Sequence, residues 1–112
     1  MHEFSIVQSI VDIAIASAAV NHIEHIRAVE VEVGMASGVV PEAMEFGWEA
    51  TVKGTLLNEA SLRIKQIPLT VRCFGCHHQY HPEEFYEECP QCGEVNAEIL
   101  AGKELKVVAI ET

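Results

Sequence analysis

The hydrophobic pattern of the chain changes period several times, and each change predicts an element. Between residues 5 and 21, Val7, Ile10, Val11, Ala14, Ile15 and Ala18 recur at i, i+3, i+4 spacing. That period makes a broad apolar stripe and predicts a helix packed on a core. Ser5 and Gln8 have the spacing of a capping box at its start. Residues 28–33 then alternate strictly. Val29, Val31 and Val33 fall on one face and Glu30 and Glu32 on the other, which predicts a half-buried strand. Residues 34–38 read as a loop between Gly34 and Gly38. Pro41 suits the first turn of a second helix, with Glu42 near the positive end of its dipole. Met44, Trp48 and Thr51 line one side of this helix, and Gly54 is a natural stop.

A second strand is predicted at residues 60–67. Leu62, Ile64 and Gln66 share one face, Arg63, Lys65 and Ile67 the other, and Pro68 ends it. A third strand at residues 104–110 returns to the same sheet. The fold class is therefore α+β, a small three-stranded sheet packed with two helices. A zinc-ribbon-like module is inserted between its last two strands. The division places residues 1–68 together with 102–112 in one domain and residues 69–101 in the inserted one.

Four cysteines, all of those in the chain, change the reading of the insert. Cys73 and Cys76 form one knuckle and Cys89 and Cys92 another, with twelve residues between them. Two intervening residues let paired thiolates reach one ion from a tight turn. Two such turns complete an S4 shell suited to zinc or iron. Gly93 fits the tight backbone after the second knuckle. Residues 77–88 hold Tyr80, Phe85 and Tyr86 as their only sizeable apolar groups. The module cannot fold on such a core, so the metal must supply its folding energy. His77, His78 and His81 lie in the same segment, as candidate alternative ligands or outer-shell donors; the reading as exposed loop residues is favoured, since four sulfurs already fill the shell.

Charge narrows the function classes. Seventeen acids against seven bases leave a net charge of −10. Residues 69–101 carry one base, Arg72, and six acids, a net of 1 − 6 = −5. A ribbon that grips nucleic acid needs the opposite sign. No signal peptide or membrane span is evident, because Asp12 interrupts the apolar run from Ile10 to Val20. The expectation is a cytoplasmic protein with no nucleic-acid or membrane partner, in which knuckle cysteines bind metal rather than form disulfides.

A second metal-capable group lies at the start of the chain. The Met1 amine, the amide nitrogen and Nδ1 of His2, and the amide nitrogen of Glu3 are all donors within chelating reach. Deprotonated amides bind metals that favour planar nitrogen fields, nickel(II) or copper(II). Residues 1–3 supply three planar donors, and a fourth comes from elsewhere. Because the amine titrates near pH ~8 and histidine near ~6.5, affinity should fall on acidification.

Met1-His2-Glu3-Phe4-Ser5, Gly34, the stretch Val40 to Phe46, and the two knuckles closed by Gly93 together resemble the HypA/HybF nickel metallochaperones. The resemblance runs over nearly the whole chain. Phe4 departs from it, standing where an aliphatic residue is commoner. The resemblance implies nickel(II) as cargo at Met1, His2 and Glu3 and structural zinc at Cys73, Cys76, Cys89 and Cys92. It also implies a hydrogenase maturation GTPase and the nickel–iron hydrogenase large subunit as partners, with urease maturation proteins served by some members. His22 and His25 become auxiliary candidates beside the surface reading. Two rivals remain: a zinc-ribbon interaction module without nickel transfer, and a rubredoxin-like iron carrier. An enzyme is not expected, since no open metal position, phosphate loop or activated nucleophile is present.

Overall fold

The computed structural model describes residues 2–112, with side chains from residue 4 onward. Helix α1 (His2–Val20) leads to strand β1 (Ala28–Gly34), helix α2 (Pro41–Val52) and strand β2 (Ser61–Ile67). Strands β3 (Thr70–Cys73), β4 (Gln79–Tyr80) and β5 (Ala97–Ala101) follow, and β6 (Leu105–Glu111) closes the chain. The strands form two sheets, ordered β2-β1-β6 and β4-β3-β5. In the first, β1 is central, parallel to β2 and antiparallel to β6.

The alternation of β1 decides the layering. Val29, Val31 and Val33 are buried to 1 % exposure or less and join the core with Val7, Ile10, Val11, Ala14 and Ala18 of α1. Met44 and Trp48 bring α2 onto the same cluster. The Trp48 indole N–H donates to the Ala60 carbonyl at 2.9 Å, which fastens α2 to the entry of β2 and satisfies the one polar atom of a buried ring. On the opposite face Lys106 pairs with Glu32 at 3.6 Å, and Arg63 pairs with Glu111. Glu30 and Glu32 thus share the polar face of β1, where Glu32 takes part in an ion pair. Leu62 and Ile64 pack on the core, while Gln66 at the sheet end is exposed.

Three expectations are corrected. The helix begins at His2 rather than residue 5, so Ser5 lies inside it and the Ser5–Gln8 capping box does not form. The Gln8 amide instead donates to Asp12 at 2.9 Å. Ile15 is 37 % exposed, on the flank of the stripe rather than in the core. The strands of the second sheet carried too little alternation to be read from sequence.

The molecule is elongated, with extents of 54 × 27 × 16 Å. Its radius of gyration of 17.4 Å exceeds the roughly 13 Å of a compact chain this long. Between the sheets the backbone makes a close crossing. The Gly34 N–H donates to the Glu104 carbonyl at 2.7 Å, and the Ala36 N–H to the Gly102 carbonyl at 2.8 Å. The Glu104 carboxylate also accepts from the Gly102 N–H at 2.7 Å. A Cβ on Gly34 would lie 2.0 Å from the Gly102 oxygen, so this crossing admits no side chain. Among the described residues, no helix is long and apolar enough to cross a membrane.

Candidate metal centre

The two knuckles are built to one pattern. The Cys73 N–H donates to the His78 carbonyl and the Cys89 N–H to the Glu94 carbonyl, each at 2.9 Å. The His77 N–H returns to the Cys73 carbonyl at 3.0 Å, and the Gly93 N–H to the Cys89 carbonyl at 2.9 Å. Each first sulfur also accepts backbone N–H groups. Gly75 and Cys76 donate to Cys73 Sγ at 3.2 and 3.5 Å, and Gln91 to Cys89 Sγ at 3.4 Å. Those donors aim at sulfur and favour the thiolate.

The turns bring the four sulfurs together. Cys73 and Cys92 Sγ lie 3.5 Å apart, Cys76 and Cys89 Sγ 3.6 Å, and all four fall within 4.8 Å of one another. A zinc–sulfur bond of about 2.3 Å sets sulfur separations near 3.8 Å in a regular tetrahedron. The donor set therefore fits a structural zinc. Cys73 and Cys89 are buried, Cys76 and Cys92 exposed. A Cβ at Gly75 would meet Cys92 Sγ at 3.4 Å, so the first knuckle packs closely on the second without demanding glycine there.

Crowding four thiols spreads their titration. The N–H of Cys76, helped by that of Gly75, lowers the Cys73 thiol to about 7 against the effect of burial. At Cys92 the Glu94 N–H pulls downward, but the Cys73 sulfur and burial outweigh it and push the thiol up to about 12. Cys76 is likewise raised, the downward pull of the His78 N–H losing to burial and the Cys89 sulfur. The sign for metal binding follows. Zinc needs thiolates, so uptake near neutrality displaces protons from at least Cys76 and Cys92. Chelator competition between pH 6 and 8 should show affinity falling by roughly a hundredfold or more per pH unit on acidification, and more steeply below about 7, where Cys73 also protonates.

Among the described residues, the cluster of His, Cys, Asp or Glu able to hold an ion is this one, and no histidine joins it. His78 stacks on Tyr80 with ring centroids 6.0 Å apart. His81 Nδ1 lies 3.0 Å from Thr70 Oγ1. His22 and His25 are exposed beyond α1. His77 has a different task. It holds φ 66°, matching the φ 77° of Gly93 four residues after its own knuckle's first cysteine. The signal was in the sequence: Cys73-Phe-Gly-Cys-His77 aligns with Cys89-Pro-Gln-Cys-Gly93, so His77 stands where the turn wants glycine. His77→Gly should keep full zinc stoichiometry and raise stability by about 1 kcal/mol, because glycine bears no penalty at positive φ. Urea unfolding with zinc analysis checks this, and loss of metal would make His77 a ligand.

The nickel candidates stand otherwise. Met1, and the side chains of His2 and Glu3, lie outside the described residues; the backbone of His2 and Glu3 opens α1.

With this geometry in place, the comparisons with known proteins agree. The family model described as hydrogenase/urease nickel incorporation, metallochaperone, hypA matches residues 1–112. A "Hydrogenase maturation factor HypA" of Chloroflexus aggregans is 41 % identical over 113 residues, covering 100 % of this chain and 99 % of that one. The protein of the same description from Picosynechococcus is 38 % identical over 111 residues, covering 99 % and 98 %. A solution structure of HypA protein superposes with a TM-score of 0.74 at 25 % identity, covering 100 % of this chain and 96 % of that one. The solution structure of the nickel metallochaperone HypA from Helicobacter pylori shares the fold, with a TM-score of 0.67 at 24 % identity over 98 % and 96 % of the two chains. The chain thus belongs to the HypA family of nickel-incorporation metallochaperones.

Proposed function

We propose that this protein carries nickel(II) at its N-terminus and passes it on during maturation of nickel–iron hydrogenase. The His2 amide and imidazole are donors, joined in the plane by either the Met1 amine or the Glu3 amide, and a fourth donor comes from elsewhere. Cys73, Cys76, Cys89 and Cys92 hold zinc, which shapes residues 69–101 as a module inserted in a domain of residues 1–68 and 102–112. The observation that carries this reading is the match of the whole chain to a family described by nickel incorporation.

The start of α1 at His2 supports it physically. The first N–H groups of a helix have no intrahelical acceptor. Deprotonating the His2 and Glu3 amides for a metal therefore costs no helical hydrogen bond. A terminal site also opens without disturbing the core, as a carrier that must give up its cargo requires. A GTPase and the hydrogenase large subunit, with urease maturation proteins as further recipients, are the partners in this reading, and the cytoplasm is its location.

Nickel titration of untagged, zinc-loaded protein tests it. His2→Ala should weaken nickel binding by about a hundredfold or more, since a direct ligand outweighs the 10–100-fold effect of an outer-shell partner. One residue added before Met1 should weaken it similarly by replacing the amine with an amide. Unchanged affinity in both variants would place the nickel elsewhere.

A further inference from the structure

Among the described residues, no helix covers one apolar surface of the second sheet. The register places Val71 opposite both Tyr80 and Ile99, whereas Arg72 faces Gln79 and Glu98. The sheet is therefore apolar on one face and polar on the other. Over the apolar face the loop from Pro82 folds back, so that Leu69, Val71, Tyr80, Ile99, Pro82 and Phe85 enclose a groove of about 420 Å³. Phe85 and Ile99 remain open to solvent at 46 % and 38 % exposure, over a floor of buried Leu69 and Val71. Tyr86 beside them is 87 % exposed and held at φ 70°, a backbone conformation unfavourable for an aromatic residue. The Glu87 carboxylate, accepting from the Glu83 N–H at 2.7 Å, braces this loop.

The rim is anionic. Glu84 and Glu87 line the groove, in a segment whose net charge is −5 and whose one ion pair among the described residues, Arg72 with Glu98 at 3.6 Å, lies on the opposite face. The groove also already holds a cation. The Lys103 ammonium sits over the Phe85 ring, 5.9 Å from its centroid, at the distance where a ring quadrupole attracts a positive charge. The chain thus fills with its own lysine the place where an external cation would bind.

From this we propose that the groove docks an extended segment of a partner protein carrying a lysine or arginine next to an aliphatic residue. The aliphatic side chain packs on Ile99, above the buried Val71. The cation displaces Lys103 over Phe85, with Glu84 and Glu87 around it. Charge complementarity selects the sign and the apolar floor selects the neighbour.

The test uses the full zinc-loaded chain and the acetylated pentapeptide alternating leucine and arginine, with the leucine–glutamate peptide as control, followed by amide NMR shifts. The expected result is shifts confined to Val71, Tyr80, Phe85, Tyr86 and Ile99 with the cationic peptide alone. Phe85→Ala should weaken binding about tenfold or more, and Lys103→Ala should strengthen it about threefold by freeing the ring. A second acidic groove, lined by Glu45, Glu49 and Glu59 beside α2, serves as the internal control. Equal shifts in both grooves would reduce the effect to general charge attraction and overturn the proposal. So would no binding at millimolar peptide, or full affinity in zinc-loaded Phe85→Ala. If Phe85→Ala loses zinc, the response of Lys103→Ala decides instead, and unchanged or weaker binding there rejects the displacement.

Discussion

Cys73→Ser will empty the metal centre and unfold residues 70–101 while the β2-β1-β6 sheet stays folded. Cys73 is only 1 % exposed, and its sulfur accepts two backbone N–H groups at 3.2 and 3.5 Å. A serine oxygen is shorter-reaching, harder and a poor zinc ligand, so the tetrahedron loses a corner while the two donors lose a thiolate. The module has little else to hold it. Beyond Leu69, Val71, Cys73 and Cys89, its buried residues are few, whereas structural zinc contributes on the order of 10 kcal/mol or more. The first sheet has its own core of fifteen buried residues from α1 to Ala60. Zinc analysis, hydrogen exchange and limited proteolysis check this. Exchange should become fast at Val71, Cys73 and Ile99 and remain slow at Val29 and Val31. Retained zinc with slow exchange throughout would show that Cys73 is dispensable, and that the four sulfurs do not act as one closed site.

Gly34→Ala will destabilise the protein by about 3 kcal/mol, the upper range for overpacking a rigid site. The new methyl would lie 2.0 Å from the Gly102 oxygen, 2.2 Å from its carbon and 2.5 Å from the Lys103 nitrogen. All three are backbone atoms, so nothing rotates out of the way. Relief requires residues 102–104 to retreat, which breaks the hydrogen bonds of Gly34 to Glu104 and of Ala36 to Gly102. Gly54 provides the contrast. It has open space where a Cβ would go but a φ of 75°, so Gly54→Ala costs only the conformational penalty of about 1 kcal/mol. Urea unfolding should rank Gly34→Ala well below Gly54→Ala in stability. Solution scattering should show a changed envelope for Gly34→Ala, because the crossing that sets the two sheets end to end has moved. Equal stabilities would mean that the crossing yields more readily than its contacts indicate.

The first sheet and its helices were legible because each carries a strong period. Val29, Val31 and Val33 alternate over a complete strand, and Val7, Ile10, Val11, Ala14 and Ala18 repeat at helical spacing. The start of α1 was misread because the spacing of Ser5 and Gln8 imitates a cap, while the helix itself extends to His2. Ile15 was misassigned because a wide apolar stripe has edges, and only the position of α2 and β6 decides which edge is covered. The short strands β3, β4 and β5 were illegible. Four, two and five residues are too few for a period, and metal geometry rather than apolar burial organises them.

The amino-acid order by itself determined the element sequence around the first core, the two-plus-two spacing of the thiols and the anionic balance. Each of these is a property of neighbours along the chain. Tertiary structure decided what depends on residues far apart in sequence. It set Gly34 against Gly102, where the two sheets cross without room for a methyl group. It gave His77 a left-handed backbone matching that of Gly93 instead of a place among the ligands. It also turned Val71, Tyr80 and Ile99 to one open face beneath Phe85. Periodicity reports only which side of an element is apolar, and packing alone decides whether that side is covered.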